Sequence, residues 1–434
     1  MARKLTLADA ILSANTGLDA IKRAPIVEQY TGIKCLRIQD VNQKKDFLNW
    51  GNTLVEEKNF EKFQLKENDI IIARTGGSVG SNRYINQELQ AVYNNGLIRI
   101  RVDTQKHNPK FIYYLLQTKQ FESHINSIAY STSAQPNMKI RDFLRLEFKE
   151  LGLEAEDKAE EILSNLDAKI ELNRQTNQTL EQIAQALFTS WFVNFDPVID
   201  NALASGTNIN DFPEYLKHRV EHRKQAQQLA DYKPLPEDIR KLFPSEFEQK
   251  NEPSIRLSGW IPKGWNIKAM SDLLEVKYGK DHKNLDEGIY PVYGSGGLMR
   301  NAEEFLYEGE SVLIPRKGTL TNIMYVNEKF WTVDTMFYTI PKLENVAKFT
   351  FYHLKTLDFT AMNVGSAVPS MTTKVLNALQ IITPSPELLQ KFDEFIGINN
   401  QKVVSSLSNT KQLEKLRDTL LPKLISGEIT IKTD

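Results

Sequence analysis

Ser133-Ala134-Gln135-Pro136-Asn137-Met138 returns 233 residues later as Ser366-Ala367-Val368-Pro369-Ser370-Met371, and this recurrence decides the fold. The same shift carries Leu180-Glu181-Gln182-Ile183 onto Leu413-Glu414-Lys415-Leu416, with no gap between the two landmarks. Upstream the match loosens: Ile72-Ala73-Arg74-Thr75-Gly76 meets Ile314-Pro315-Arg316-Lys317-Gly318 at a shift of 242. Each copy therefore has a variable, loop-rich first part and a helical second part of fixed length. A fold duplicated within one chain makes two like lobes related by a pseudo-two-fold, as a symmetric oligomer does with two chains. Such symmetry suits a two-fold target, and duplex DNA is the commonest one.

The bulk properties leave that reading open. A chain of 434 residues has room for two or three domains, each with its own core. Its 41% apolar and 25% charged residues are ordinary for a soluble globular protein. Cys35 is the only cysteine, so neither a disulfide framework nor a thiolate metal site is expected, which suits a reducing, cytoplasmic setting. The start Met1-Ala2-Arg3-Lys4 is basic like that of a signal peptide, but Asp9 and Asp19 break any apolar segment behind it. There is no run of 18 apolar residues, which argues against a membrane span. A net charge of −1 by itself argues against a nucleic-acid binder, but the charge is segregated. Residues 1–150 carry 22 Lys/Arg against 16 Asp/Glu, residues 151–198 carry 3 against 9, and residues 263–385 carry 13 against 13. Segregation matters more to binding than the sum, the competing reading being a plain solvated surface.

Residues 1–150 read as a mixed α/β lobe. Strands are expected at Ile33 to Val41, Asp69 to Ala73 and Gly96 to Val102, a turn at Gly76-Gly77-Ser78-Val79-Gly80, and short helices at Phe111 to Thr118 and Arg141 to Leu144. From Glu154 to Phe192 there is no Gly or Pro, and Ile162, Leu166, Ile170, Leu180, Ile183, Leu187 and Trp191 form the seam of one long amphipathic helix. Asn173 and Asn177 interrupt that seam at its middle. The second copy repeats the pattern at Phe392, Ile396, Val403, Leu407, Leu413, Leu416, Leu420 and Leu424, with Ser406 and Thr410 at its polar middle. Either the two helices pack on each other, the polar residues fixing their register, or each lies on its own lobe. At ~1.5 Å per residue the first helix spans about 58 Å, more than one DNA turn of ~34 Å.

The expected order is a first lobe at 1–150, a spacer helix at 151–194, a linker at 195–262, a second α/β lobe at 263–385, a second spacer helix at 386–428 and a tail at 429–434. The linker has no second copy. It is punctuated by Pro197, Pro213, Pro234, Pro236, Pro244 and Pro253 and carries a charged helix from Glu214 to Ala230.

Catalytic readings fail on the residues. The loop Gly76-Gly77-Ser78-Val79-Gly80-Ser81 resembles a phosphate cradle, but no Lys follows Gly80 as a P-loop requires. Its amides and hydroxyls could still meet a DNA phosphate; a plain tight turn explains it equally well. Asn194-Phe195-Asp196-Pro197-Val198 lacks the second Pro and the aromatic of an amino-methyltransferase loop. Of the six histidines only His218 and His222 stand at helical spacing, and no Glu follows His218.

Groups suited to reading DNA recur at matched places instead. Arg74-Thr75 and Arg316-Lys317 each precede a Gly turn, where a cation reaches a phosphate or a guanine edge. Ser78, Arg83 and Arg101 belong to the same region of the first copy, and Thr319 to that of the second. Ser133, Gln135, Asn137 and Lys139 lie in a loop matched by Ser366, Ser370, Thr372 and Lys374; Gln and Asn are the side chains that pair bidentately with adenine. Such residues are also ordinary loop material, and the weight lies on the recurrence.

Five stretches carry a resemblance to the specificity subunits of type I restriction–modification systems. Trp191-Phe192-Val193-Asn194-Phe195-Asp196-Pro197-Val198 resembles the family's segment closing the first long helix. Leu242-Phe243-Pro244-Ser245-Glu246-Phe247 and Gly259-Trp260-Ile261-Pro262-Lys263-Gly264-Trp265 resemble its lead-in to the second lobe. Tyr290-Pro291-Val292-Tyr293-Gly294-Ser295-Gly296-Gly297 and Leu420-Leu421-Pro422-Lys423-Leu424-Ile425-Ser426-Gly427 are similar to two further signatures. Together they cover essentially the whole chain, with one departure: the first lobe has no counterpart of Ile261 to Trp265. The resemblance implies two target recognition domains, each reading one half of an asymmetric bipartite duplex, held apart by an antiparallel pair of coiled-coil helices. It also implies two methyltransferase subunits docked on those helices and two restriction subunits that translocate DNA. This chain would be non-catalytic, with S-adenosylmethionine, ATP and magnesium held by the partners. The competing classes are a self-sufficient DNA-modifying enzyme, a two-lobed adaptor for proteins and a repurposed relative without restriction activity.

Overall fold

The computed structural model describes residues 3–129, 136–230, 232–250, 259–359, 361–362 and 370–429. It divides into two compact units, Met1–Arg174 with Leu407–Asp434, and Gln175–Ser406. The two long helices, Leu153–Phe188 and Pro386–Ile425, each contribute to both units.

The first unit is built on two four-stranded sheets. One has the order Ile11–Thr16, Leu97–Val102, Asp69–Ala73, Asn82–Tyr84, all antiparallel. Asp69–Ala73 is central and buried along its whole length, which is why it reads as an unbroken apolar run rather than an alternation. The other sheet pairs Ile26–Val27, Gly51–Thr53, Lys34–Leu36 and Ala91–Tyr93, the last two strands running parallel. Lys4–Thr6 pairs with Glu147–Lys149 and so ties the lobe's beginning to its end. Asn266–Ala269 and Gln380–Thr383 make the same closure in the second unit. There the main sheet has six strands in the order Leu274–Tyr278, Met336–Pro341, Tyr307–Pro315, Met324–Thr332, Tyr290–Gly294, Gly297–Ala302. The two lobes thus share their closure and differ in their sheets.

A helix after the sheet fixes each lobe to the long helices by matched polar contacts. In the first unit this helix is Pro109–Leu115, capped by Asn108, whose Oδ1 accepts the Lys110 and Phe111 amides. Lys110 pairs with Glu160 at 3.3 Å, Tyr114 donates to Asp167 at 2.8 Å, and buried Glu156 bonds His107 Nδ1 at 2.8 Å and accepts the Asn108 amide at 2.9 Å. In the second unit it is Val346–Lys355: Lys348 donates to Glu310 and Asp393, and Tyr352 and Lys355 donate to Glu181. Asp393 stands 233 residues after Glu160, the shift of the repeat itself.

The long helices pair antiparallel within each unit. In the first, Ala159 and Leu163 share a core with Leu421, Leu424 and Ile425, Asp167 pairs with Arg417 at 2.9 Å, and Arg174 pairs with Glu414 at 2.7 Å. Asn173 from the polar middle is paired across the helices: its Nδ2 donates to Asn409 Oδ1 at 3.0 Å and to Thr410 Oγ1 at 3.2 Å, in a site where Asn173 and Thr410 are buried. A lone buried amide that finds partners in only one alignment fixes register. In the second unit Phe188, Trp191 and Phe192 cluster around Phe392, with ring centroids 5.8, 6.2 and 5.1 Å away.

Three expectations change. Ile33 to Val41 is not one strand: Lys34–Leu36 is followed by the helix Ile38–Asn42, because Asp40 accepts the Arg37 amide at 3.1 Å and its Nε–H at 3.0 Å and so starts a turn. The helices Glu57–Phe63 and Lys119–Ala129 were not foreseen. The first long helix ends at Phe188 and passes into a π turn, Thr189–Val193, before Phe195 takes a left-handed φ of 55° and starts Asp196–Ala204. That short helix is tied to Glu214–Gln227 by Arg219 on Asp196, at 2.7 Å through both nitrogens, and by Arg223 on Asp200.

His353, in the last turn of Val346–Lys355 and edge-on to Phe188, is held by burial at a pKa of about 4, below the usual 6.5. A depressed folded value means that the neutral imidazole stabilises the fold above pH 6.5 and that this contribution is lost as pH falls towards 4. Acidification from pH 7 to 5 is therefore expected to cost about 1–2 kcal/mol. In urea titrations at the two pH values, His353→Gln is expected to show a correspondingly smaller drop.

Candidate nucleic-acid interface

The buried strand Asp69–Ala73 delivers Arg74 to the end of its sheet. There the chain is pinned to a distant loop. Thr75 forms an antiparallel bridge with Asn137, the Met138 amide donates to the Arg74 carbonyl at 2.8 Å, and the Gly76 amide donates to the Pro136 carbonyl at 3.0 Å. Met138 is fully buried and anchors the loop from below. Above it Arg74 Nη2 donates to Asn137 Oδ1 at 3.2 Å, while Arg74 Nε is buried with no partner among the described residues. Gly76 then turns at a φ of 76°, a conformation that favours glycine.

The second lobe repeats this knot with other side chains. The strand Tyr307–Pro315 ends at Arg316, Lys317 bridges Ser370 antiparallel, and the Met371 amide donates to the Arg316 carbonyl at 2.9 Å. Met371 is buried like Met138, and Gly318 turns at a φ of 86°. The Arg316 guanidinium lies over the Tyr278 ring, 5.3 Å from its centroid, and donates to the Asp334 carbonyl at 3.3 Å. Two lobes with different sheets therefore hold one backbone arrangement in common and place Arg, Thr and Asn on one copy of it and Arg, Lys and Ser on the other.

The other expected residues divide. Ser78 ends the turn Gly76–Ser78, Lys139 stands exposed just before the helix Ile140–Phe143, and Thr319 is exposed after Gly318. Thr372 caps the helix Thr373–Asn377 through its Oγ1, which accepts the Val375 amide at 3.3 Å, and Lys374 is exposed within it. Ser133, Gln135 and Ser366 lie outside the described residues. Arg83 and Arg101 are engaged inside the lobe. Arg83 donates to the Lys45 carbonyl at 2.6 Å with its guanidinium over Trp50, and Arg101 donates to buried Asp69 at 2.7 Å. The Asp69 hydrogen bond holds Arg101 above its usual pKa, as a committed ion pair does. Tyr278 was missed in the sequence, since it stands 38 residues before Arg316 with no local signal.

Along the helices, Ile170, Trp191 and Leu424 are buried, and Leu166, Leu180, Leu187, Val403, Leu413 and Leu420 are partly covered. Ile183, Leu407 and Leu416, expected in the seam, stand 52%, 55% and 47% exposed. A three-and-four spacing marks an apolar stripe, and here that stripe is wider than what one partner helix covers.

Two lobes of mixed α/β structure, each closed by an antiparallel strand pair and joined to paired long helices, with one loop knot repeated, define a duplicated recognition protein. Residues 19–182 and 262–414 match the family model described as the type I restriction modification DNA specificity domain, and the chain belongs to that family. It is 26% identical over 404 residues to the type I restriction enzyme HindI specificity subunit of Haemophilus influenzae, covering 85% of this chain and 88% of that one. It is 25% identical over 334 residues to the MjaIX specificity subunit of Methanocaldococcus jannaschii, covering 74% and 69%. The fold is that of the crystal structure of the type I restriction–modification S subunit from M. genitalium, with a TM-score of 0.59 at 16% identity over 100% of this chain and 97% of that one.

Proposed function

We propose that this chain reads an asymmetric, bipartite DNA sequence for a type I restriction–modification complex, one half-site per lobe, and performs no chemistry itself. The repeated knot carries the reading. Arg74–Thr75 against Asn137 and Arg316–Lys317 against Ser370 keep one backbone and exchange the side chains, as two readers of different half-sites require. Arg paired with Asn suits guanine and adenine edges, whereas Lys with Ser discriminates less between bases. Asn173, locked between Asn409 and Thr410, fixes the helix register that would set the gap between half-sites. Ile183, Leu407 and Leu416 offer exposed apolar surface on which two methyltransferase subunits would dock, with two restriction subunits joining for cleavage. Magnesium is implied for the complex and not for this chain. That ion, ATP and S-adenosylmethionine belong on this reading to the partners.

The test is methylation mapping of DNA from cells that make this chain with its methyltransferase. A split adenine-methylated motif of fixed gap, lost when this chain is deleted, is expected. An active methyltransferase that leaves no split motif would overturn the reading and favour the protein-binding adaptor.

A further inference from the structure

Beyond the knot, the first lobe holds a polar cleft of about 500 Å³ whose wall is the continuation of the Arg74 loop. Val79, Gly80, Ser81 and Asn82 form one side, the region Asn42 to Lys44 a second, and Gln117 to Asn126 the third. Most of the lining amides are committed: Ser81 donates to Asn42 Oδ1 at 3.4 Å, Asn82 donates to the carbonyls of Gly80 and Leu116 at 3.0 Å, and Gln117 donates to Asn82. The two ammonium groups are not. Lys44 and Lys119 are exposed at the cleft, and neither makes an ion pair among the described residues, although Glu122 also lines the cleft. Lys44 is moreover held in the left-handed region at a φ of 49°, which is uncommon for a lysine and is maintained here by its amide on the Val41 carbonyl at 3.1 Å.

We infer that this cleft seats one phosphodiester of the DNA backbone beside the first half-site, clamped between Lys44 and Lys119. The inference rests on the DNA-reading function proposed above and adds a contact that positions without specifying. The cleft begins beside Arg74, since the Ala73 amide donates to the Ser81 carbonyl at 2.8 Å; on this reading the phosphate adjoining a base edge at Arg74 and Asn137 would fall to Ser81 and the two lysines. The asymmetry of charge agrees: the lobe that holds the cleft has a net +6 over residues 1–150, and residues 263–385 are balanced.

Salt dependence separates such a contact from base reading, because each neutralised phosphate contributes about 0.9 to the slope of log K against log salt. The full chain assembled with its methyltransferase would be titrated against fluorescent duplexes with and without the mapped target, from 50 to 200 mM salt (roughly the range where that slope is measured). K44A/K119A is expected to lower the slope by about one on both duplexes and to leave the ratio of target to non-target affinity unchanged. K22A/K58A, which removes the same charge from another part of the lobe, should leave the slope near that of the unmodified chain. An unchanged slope in K44A/K119A, or an equal fall in both variants, would overturn the inference. Loss of target preference in the unmodified chain would instead sink the function proposed above, and the slope on the plain duplex would still decide the cleft. Both lysines are exposed, and equal unfolding midpoints would confirm that the variants fold.

Discussion

Lys348→Met is expected to destabilise the second unit by about 3–5 kcal/mol. Lys348 is only 7% exposed, and its ammonium lies 2.5 Å from Glu310 and 2.9 and 3.0 Å from the two oxygens of Asp393. Those carboxylates come from the strand Tyr307–Pro315 and the long helix Pro386–Ile425, so one cation on the helix Val346–Lys355 joins that helix to the sheet and to the long helix. Burial already pushes the Asp393 carboxyl up, against the pull of Lys348. Without the lysine, two carboxylates share a half-buried site with no counter-charge, and the fold would favour their protonated forms. Their folded pKa values then lie above the unfolded ones, so the variant should regain stability as pH falls from 7 towards 4. Adding Asp393→Leu to the same chain should restore part of the loss at neutral pH, since replacing both partners costs less than orphaning one. Urea unfolding of the three chains measures this. A loss below about 1 kcal/mol in Lys348→Met would mean that the triad is solvated and contributes as little as surface pairs do.

The second large effect is on recognition. Arg74→Ala should weaken discrimination at one position of the first half-site by about 1–3 kcal/mol, roughly a 5- to 150-fold loss against competing sequences. The fold should not change. The knot is held by the Arg74 carbonyl and the Met138 amide, neither of which the substitution touches, and among the described residues the side chain's hydrogen-bond partner is Asn137 Oδ1. On the proposed reading, the exposed end of the guanidinium, where Nη2 meets Asn137, is what a guanine edge would contact. Methylation profiles of the variant should show relaxed sequence at one position of one half-site. A profile identical to that of the unmodified chain would remove Arg74 from the reading surface.

The duplication was legible because its landmarks survive in residues: the strand Asp69–Ala73, the Gly turn behind Arg74, the Asn137-Met138 step and the two long helices all stand where the spacing put them. What was hidden depends on contacts distant in sequence. Arg83 and Arg101 read as free cations until the fold brings the Lys45 carbonyl and Asp69 to them from 38 and 32 residues away. The polar cleft draws on Asn42, Ser81 and Lys119, which no local motif connects. The break at Arg37 is local but turns on one capping carboxylate, Asp40, that an apolar stretch conceals. Ile183, Leu407 and Leu416 follow the seam's period and still face outward, because periodicity locates a face and not how much of it a neighbour covers.

The most direct measurement is methylation mapping after residues 1–150 are exchanged for the first lobe of another member of the family, with both long helices left intact. One half of the split motif should change, the other half and the gap staying as they were. A change in both halves, or in neither, would contradict one reader per lobe.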